Sequence, residues 1–197
     1  MRFILASQSP ARRRLLQQAG IEPECIPSGF DEDSIQSRNP ANLVETLALN
    51  KVQVVARKVN GPAILLGCDS ILAINGEIHG KPTSHQDAID RWHYMRGRVG
   101  EIYTGHALIQ LHRGGTSREL VRCGMTQVHF AQVTDAQIRA YVATGEPMDC
   151  AGCFTLEGKG SIFVEKIQGC HTNVIGLSMP LLRQMLLELD EDITQLW

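Results

Sequence analysis

The chain has 197 residues, of which 43% are hydrophobic, and a formal net charge of −2. This is enough for one sizeable core, in one domain or in two small lobes. The near-neutral charge does not favour a general nucleic-acid or membrane binder. No apolar run approaches the roughly 20 residues of a bilayer span, and the N-terminus does not resemble a secretory signal. Because six cysteines in so long a chain do not suggest a disulfide framework, we expect a cytoplasmic protein with reduced thiols.

The first predicted elements are a strand and a helix. The apolar run at 2–6 predicts a buried strand. Ser9 and Pro10 predict a helix start, because serine caps the first turn and proline suits its first position. Gly20 predicts the end of this helix.

An acidic loop, a long helix and a second buried strand are predicted next. The loop contains Asp31, Glu32 and Asp33, and the helix, over 41–59, contains Lys51. The apolar run at 62–70 predicts the strand, with Asp69 just past its end.

The second half of the chain predicts a hairpin followed by alternating helices and strands. Asn75-Gly76 between apolar stretches is a strong hairpin signal, and Lys81 lies between Gly80 and Pro82 after it. The remaining predicted elements are helix 83–97, strands 101–112 and 119–130 joined through Arg113-Gly114-Gly115, helix 134–145, a glycine-rich loop, and helix 179–189. This order predicts an α/β fold, with a mixed twisted sheet and flanking helices.

Three arginines follow the first helix start, where the helix dipole disfavours cations. They are Arg12, Arg13 and Arg14. A helix N-terminus after a strand binds anions, and arginines strengthen such a site for phosphate or polyphosphate. The alternative is that the arginines point into solvent, and only one or two of them can face a ligand.

Acidic and basic residues elsewhere favour a polyphosphate site. Glu32 and Asp69 offer the oxygen ligands that Mg²⁺ prefers, and Lys81 is a cation on a constrained turn. Each has an ordinary structural interpretation alone. Together they indicate a metal–polyphosphate site.

Several motifs, in order, resemble the Maf (septum formation inhibitor-like) family. They are SQSPARRRLL, Asp31-Glu32, LALNK, GCDS, GEIHGKP, YTGHAL, DCAGCFTLEGKG and NVIGLSMPLL. The resemblance implies a nucleoside triphosphate pyrophosphatase that releases a monophosphate and pyrophosphate. It also implies an inosine-triphosphatase-like fold with two lobes around a cleft, one Maf-like domain over 1–197, and a homodimer. The partners are then the nucleotide and a second copy of the chain, with no nucleic acid or membrane.

The resemblance implies active-site positions for six residues, which are Ser7, Arg12, Glu32, Lys51, Asp69 and Lys81. These and the residue chemistry together give the predicted site. The expected catalytic residues are Asp69, Glu32, Lys51 and Lys81, with Asp69 the better candidate for the general base. Glu32 and Asp69 are expected to hold a divalent metal cation, Mg²⁺ or Mn²⁺. The expected substrate-binding residues are Ser7, Ser9, Arg12, Arg13, Ser70 and Glu157.

Departures from the family pattern bear on the base that is recognised. Ala11, Asn50 and Ser70 differ from the residues common in the family, and Glu157 stands where the pyrimidine-specific branch has glutamine. A carboxylate only accepts hydrogen bonds, which suits guanine, with its N1–H and 2-amino donors. Ala11, together with the CAG and GKP motifs, resembles the 7-methyl-GTP branch more than the dTTP/UTP branch. A dTTP/UTP pyrophosphatase is the alternative, as is a Glu157 that faces solvent.

Two further alternatives come from other classes of protein. Cys150 and Cys153 form a C-x-x-C motif, but no second pair of zinc ligands follows it and a loop is predicted after it. The family's historical label suggests a non-catalytic nucleotide-binding regulator of cell division. The seven histidines, His106 among them, show no ligand spacing and are expected to be surface or packed residues.

Overall fold

The computed structural model describes residues 1–113 and 117–197, so Gly114 and Gly115 of the predicted strand connection lie outside the described residues. The strands are β1 (Arg2–Leu5), β2 (Glu24–Cys25), β3 (Ala63–Ile74), β4 (Glu77–His79), β5 (Val99–Leu111), β6 (Ser117–Phe130) and β7 (Val164–Gln168). The helices are α1 (Pro10–Gln18), α2 (Pro40–Ala56), α3 (His85–Met95), α4 (Asp135–Ala143), α5 (His171–Ile175) and α6 (Met179–Glu188). Short 3₁₀ turns lie at Glu32–Ser34, Glu146–Asp149, Ala151–Cys153, Lys159–Phe163 and Ile193–Leu196.

The seven strands form one mixed sheet. Its order is β2-β1-β3-β5-β6-β7, with β4 paired to β3. Strand β1 runs parallel to β2 and to β3, with Arg2 opposite Ala63 and Leu5 opposite Leu66. The pairs β3–β4 and β6–β7 are antiparallel. The predicted α/β fold with a mixed sheet and flanking helices is therefore confirmed.

Local sequence signals explain where most elements begin. The side chains of Ser9 and Thr134 cap α1 and α4, each by accepting from a backbone N–H of the first turn. Asn75 and Gly76 both have positive φ, 51° and 81°, as a two-residue hairpin of type I′ requires. These predicted starts and the predicted hairpin are confirmed.

Three predictions about the elements were wrong. Strand β3 continues to Ile74, so Asp69 lies inside it and not past its end, because the apolar residues after Ser70 extend the strand into the hairpin. Strand β7 and helix α5 were not predicted. The segment Val164–Gln168 is short and polar, and its pairing with β6 comes from tertiary contact.

The chain divides into two compact units. The first unit contains Met1–Asp69, Thr104–Gly124 and Gly176–Trp197, and the second contains Ser70–Tyr103 and Met125–Ile175. The two units agree with the two predicted lobes, whereas the cleft stays a prediction. In the described part of the chain, no helix has the length and apolarity needed to cross a lipid bilayer.

Each unit has its own hydrophobic core. The first packs α2 on the sheet through side chains such as Ile4, Val52 and Leu65. The second is built around Trp92, which is fully buried and makes edge-to-face contacts with Phe130 and other aromatic rings. Its indole Nε1 donates to the carbonyl of Cys153 at 2.8 Å, so the buried polar atom is satisfied.

Two glycines bring α2 close to the sheet. A Cβ on Gly67 of β3 would collide with the Ala48 carbonyl and lie 2.9 Å from Cβ of Val52. A Cβ on Gly105 of β5 would collide with the Val44 carbonyl. The α2 backbone therefore rests directly on both strands, and this fixes the position of Lys51 on that helix.

Candidate active site

A buried lysine joins two of the predicted carboxylates in the first unit. Nζ of Lys51 lies 2.5 Å from Oδ1 of Asp69 and 2.7 Å from Oε1 of Glu32. Lys51 and Asp69 are each 7% exposed, whereas the Glu32 side chain is 57% exposed. One cation is thus shared between a buried carboxylate and one that reaches solvent. The structure brings these three predicted residues together.

The sheet explains why Asp69 is available to Lys51. The register of β1 against β3 ends at the pair Leu5–Leu66, and Asp69 lies beyond it on β3. At Gly67, just before Asp69, α2 makes its close approach to the strand. Lys51 lies on α2 between Ala48 and Val52, the two residues at that approach, so its side chain reaches Asp69.

The surroundings of Asp69 suit a proton acceptor. Burial raises the pKa of Asp69, the charges of Lys51 and Arg12 lower it, and the Glu32 charge raises it again. The net effect is a pKa above the ordinary aspartate value, closer to the neutral range in which a general base works best. Burial also raises the pKa of the adjacent Cys68 thiol to about 11, so that thiol stays neutral.

The turn before α1 orients Arg12. Nε of Arg12 donates to the Gly176 carbonyl at 2.8 Å, and its Nη1 donates to Oγ of Ser7 at 3.3 Å. Oγ of Ser7 also accepts from the backbone N–H of Ser9, and Oγ of Ser9 caps the helix. The predicted residues Ser7, Ser9 and Arg12 therefore form one hydrogen-bonded group. A surface pocket next to it is lined by Ser7, Gln8, Ser9, Pro10, Arg13, Cys25 and Pro27.

Arg13 is held differently from Arg12. Its Nη2 donates to Oε1 of Glu22 at 3.0 Å, and both side chains are more than half exposed. An exposed pair of this kind contributes little to stability and is easily broken. Arg13 also lines the pocket beside Ser7, so its predicted role in substrate binding stays a prediction.

The other three predicted residues belong to the second unit. Ser70 is half-buried on β3, and Lys81 and Glu157 are exposed. Burial is the main reason why the Cys150 pKa is raised to about 11; the Glu157 charge adds to the shift and the Lys81 charge opposes it. The charges of Lys81 and Glu157 thus shift the pKa of the same thiol in opposite directions. Their roles stay predictions.

Glu146 holds the glycine-rich segment that carries Glu157, and sequence reasoning missed it. Its carboxylate accepts from Oγ1 of Thr155 and the hydroxyl of Tyr141, and from the backbone N–H groups of Lys159 and Gly160. Although burial opposes ionisation, these hydrogen bonds lower the Glu146 pKa to about 2. Because its partners lie on distant segments, no local spacing signals this role.

The thiols of the C-x-x-C motif are unbridged and have raised pKa values. All six cysteines are free thiols. Burial raises the pKa of Cys150 to about 11 and that of Cys153 to about 12, so both are protonated at neutral pH and poorly nucleophilic. Over residues 1–113 and 117–197, no group of three or more His, Cys, Asp and Glu side chains is arranged to hold a metal ion.

The motifs that carry the resemblance in the sequence are thus distributed over both units. A family model described as Maf-like protein matches residues 2–189. The chain belongs to the Maf-like protein family. The predicted family is therefore confirmed, whereas the branch within the family is not distinguished.

Curated members of the Maf family share more than half of their residues with this chain. One from Synechococcus elongatus is 58% identical over 100% of this chain and 97% of its own length, and one from Trichormus variabilis is 57% identical over 99% and 97%. A third, from Thermosynechococcus vestitus, is 57% identical over 95% and 93%. All three are named nucleoside triphosphate pyrophosphatase, which agrees with the predicted enzyme class.

Two solved structures are similar at 16% sequence identity. The Staphylococcus aureus Ham1 protein has a TM-score of 0.48, over 97% of this chain and 100% of its own. A nucleoside-triphosphatase, dITP/XTP pyrophosphatase, from Mycobacterium abscessus has a TM-score of 0.40, over 68% and 76%.

Proposed function

We propose that this Maf-family chain is a nucleoside triphosphate pyrophosphatase, which hydrolyses its substrate to a nucleoside monophosphate and pyrophosphate. The observation that carries the proposal is the Lys51 ammonium shared between Asp69 and Glu32, with the Arg12 charge acting on the same Asp69 carboxyl. Hydrolysis of a phosphate substrate requires cations that neutralise its negative charge and a base that accepts a proton from the attacking water. This group of residues supplies both. The names of the relatives support the same activity.

In the proposed reaction, a water molecule attacks the α-phosphorus. The Asp69 carboxylate takes the proton of this water, and the bond from the α-phosphorus to the oxygen bridging the α- and β-phosphates breaks. That oxygen leaves as part of pyrophosphate. The Lys51 ammonium and the Arg12 guanidinium neutralise charge on the phosphates, which is where most of the rate gain in such reactions arises.

The donor set fits a divalent cation that arrives with its substrate. Asp69 and Glu32 direct carboxylate oxygens at one point, the Lys51 ammonium. Mg²⁺ is commonly held by one or two carboxylates, with water and substrate phosphates completing its shell. Glu32 and Asp69 would hold Mg²⁺ or Mn²⁺ in this way. When bound, the ion supplies positive charge to the phosphate oxygens.

The test is pyrophosphate release by Asp69→Asn compared with Asp33→Asn. Asp33 is an exposed aspartate of the turn that carries Glu32, so the two variants make the same chemical change. We expect Asp69→Asn to lower kcat at least ~10²-fold and Asp33→Asn to behave as the parent. Chelation by EDTA should abolish the activity and added Mg²⁺ or Mn²⁺ should restore it. Full activity of Asp69→Asn would refute the assignment, and a parent that binds nucleotide without hydrolysis would favour the non-catalytic regulator of cell division.

We further propose that the substrate is a guanine-type nucleotide, 7-methyl-GTP in particular. Glu157 is exposed, and the segment that carries it is held by hydrogen bonds to Glu146. A carboxylate there can accept from guanine N1–H and the 2-amino group. It is also attracted to the positive charge of a 7-methylated ring. Removal of such nucleotides would keep non-standard bases out of nucleic acids.

A substrate panel tests this preference. We expect the parent to prefer 7-methyl-GTP or GTP over dTTP, UTP and CTP at equal concentration, and Glu157→Gln to reduce that preference. Lys159→Gln, an exposed neighbour in the same segment, is the control. If the parent prefers dTTP or UTP, or if Glu157→Gln leaves the order of substrate preference unchanged, the proposed base preference is wrong. The proposed pyrophosphatase activity does not depend on this result.

The remaining proposals concern assembly and setting. We propose a cytoplasmic homodimer that acts on free nucleotides, with no nucleic-acid or membrane partner. Lys81 is proposed as a catalytic cation that neutralises the charge of the departing pyrophosphate, and Ser70 and Arg13 contribute to substrate binding. These rest on the motifs that the chain shares with its family. Light scattering after size exclusion tests the dimer, and a single-copy mass would contradict it.

A further inference from the structure

A fully buried histidine lies behind the group that orients Arg12. His106, on β5 in the first unit, has no solvent exposure. Its Nε2 accepts a hydrogen bond from the backbone N–H of Ser178 at 2.8 Å. Because an imidazole nitrogen accepts only without a proton, the ring is neutral and carries its proton on Nδ1. Burial, with the Arg12 charge adding to it, lowers the His106 pKa to about 4.

The turn at residues 176–178 connects His106 to Arg12. Ser178 is buried and caps α6, and two residues earlier the Gly176 carbonyl accepts from Nε of Arg12 at 2.8 Å. The turn is therefore held at one end by the imidazole, while its other end holds the guanidinium. Gly176 has a φ of 120°, which favours glycine and gives the turn a specific shape.

Stability alone gives little reason for a histidine at this position. Nδ1 of His106 is buried and is not well paired among the described residues, although the nearby backbone of Thr104 and Arg122 favours the protonated ring. A buried donor that is poorly paired costs free energy, and an apolar side chain would avoid this cost. An apolar side chain, however, has no atom that could accept the hydrogen bond from the backbone N–H of Ser178.

We infer that His106 is a positioning residue for Arg12, acting through Ser178 and Gly176 to aim the guanidinium at the phosphates of the substrate. This rests on the proposed function, in which Arg12 binds those phosphates. With Nε fixed by Gly176, the terminal nitrogens of the guanidinium are presented in one orientation, as two-pronged recognition of phosphate needs. Loss of the His106 acceptor frees the turn and with it the guanidinium.

The first experiment compares His106→Leu with His106→Gln. Leucine removes the acceptor, whereas glutamine offers its Oε1 at a similar reach. We expect His106→Leu to raise KM about tenfold, because the net energy of one lost neutral hydrogen bond corresponds to about that factor, with kcat within about threefold. His106→Gln should recover most of the loss. In the Arg12→Ala background, His106→Leu should add less than about twofold, because the residue it positions is gone.

A second pair of variants tests the same link from the other side of the hydrogen bond. Ser178 has a φ of −71°, which proline adopts, so Ser178→Pro removes the donor N–H without changing the ring. Ser178→Ala keeps that N–H and loses only the helix cap. We expect Ser178→Pro to raise KM as His106→Leu does, and Ser178→Ala to leave KM near that of the parent. This pair keeps the inference testable if His106→Leu does not fold.

Binding of inorganic tripolyphosphate, measured by calorimetry, separates this inference from the proposed function. Arg12→Ala, His106→Leu and Ser178→Pro should all weaken tripolyphosphate binding, whether or not the protein hydrolyses nucleotides. A parent that releases no pyrophosphate would overturn the proposed function alone. The inference itself is overturned if His106→Leu lowers only the melting temperature, or if its effects on KM and binding persist unchanged in the Arg12→Ala background.

Discussion

Replacement of Lys51 by methionine tests the electrostatics of the site most directly. Methionine has a similar length and fills the same space, but it removes the ammonium that lies 2.5 Å from Oδ1 of Asp69. Asp69 is 7% exposed, so its buried carboxylate would lose its 2.5 Å partner, and the Arg12 charge would offset only part of that loss. Glu32 is more than half exposed and can turn to water.

The expected loss of stability is large. Removal of one partner from a buried ion pair typically costs ~3–5 kcal/mol, because the other charge stays buried. At about 2–4 °C of melting temperature per kcal/mol for a chain of this size, Lys51→Met should melt roughly 6–20 °C below the parent. Asp69→Asn should cost less, because Lys51 keeps its 2.7 Å partner Glu32.

The loss of stability caused by Lys51→Met should also depend on pH. Burial already raises the Asp69 pKa, and Lys51 opposes that shift, so Lys51→Met raises the pKa further. As the pH falls through the folded pKa, the folded protein takes up a proton that the unfolded chain, with its ordinary aspartate, does not yet bind. The stability gap between Lys51→Met and the parent should therefore be wider at pH 8 than at pH 5.

Urea denaturation at pH 8, 6.5 and 5 measures this gap, with Lys51→Arg as the control that keeps the charge. Lys51→Met combined with Asp69→Asn should recover much of the lost stability, since no buried charge then remains. A Lys51→Met protein as stable as the parent, or one whose penalty does not change with pH, would show that the Asp69 charge is not held by Lys51.

Three other predictions concern packing, the glycine-rich segment and the thiols. Gly67→Ala should lower the free energy of unfolding by about 1–3 kcal/mol and should lower kcat, because the new Cβ displaces α2 and with it Lys51. The control Gly80→Ala has nothing within 4 Å of its Cβ and should keep the parent's stability. Glu146→Gln should lower the free energy of unfolding by about 1–3 kcal/mol through its lost hydrogen bonds. Because the folded Glu146 pKa is lowered to about 2, the stability that its carboxylate supplies is present above the unfolded pKa and is lost as the pH falls towards 2. Urea denaturation should therefore show a larger difference between Glu146→Gln and the parent at pH 7 than at pH 3. Iodoacetamide at neutral pH should modify the exposed Cys25 first and the buried Cys68 and Cys153 last, as mass spectrometry of timed samples can check. Early modification of Cys153 would favour the redox interpretation of the C-x-x-C motif.

The sequence predicted those features that depend on neighbouring residues. Helix starts at Ser9 and Thr134 and the turn at Asn75-Gly76 follow from local capping and turn chemistry. The ordered motifs predicted the family, and with it the carboxylates that meet at Lys51. The end of β3 was misplaced because a polar interruption at Ser70 looks like a boundary in a sequence, although both sides of it are buried strand.

Features that depend on distant residues were beyond sequence reasoning. Glu146 looks like an ordinary acid after a helix, and only the fold brings Lys159 and Gly160 to its carboxylate. His106 was expected to be a surface or packed residue, and nothing near it in the chain indicates that its ring accepts from Ser178. Hydrogen bonds of this kind join segments that the sequence separates widely.

Strand β3 has one consequence for how the protein folds. Its last residues pair with β4 across a two-residue turn, with Ile74 opposite Glu77, but its first residues pair with β1, with Ala63 opposite Arg2. A hairpin closes in roughly 1–10 μs, while contacts between distant parts of a chain form late because a long loop must first be closed. The two ends of a single strand are thus completed at different times. Asp69 lies between them, so its environment is assembled only when the slower, long-range pairing has joined the faster, local one.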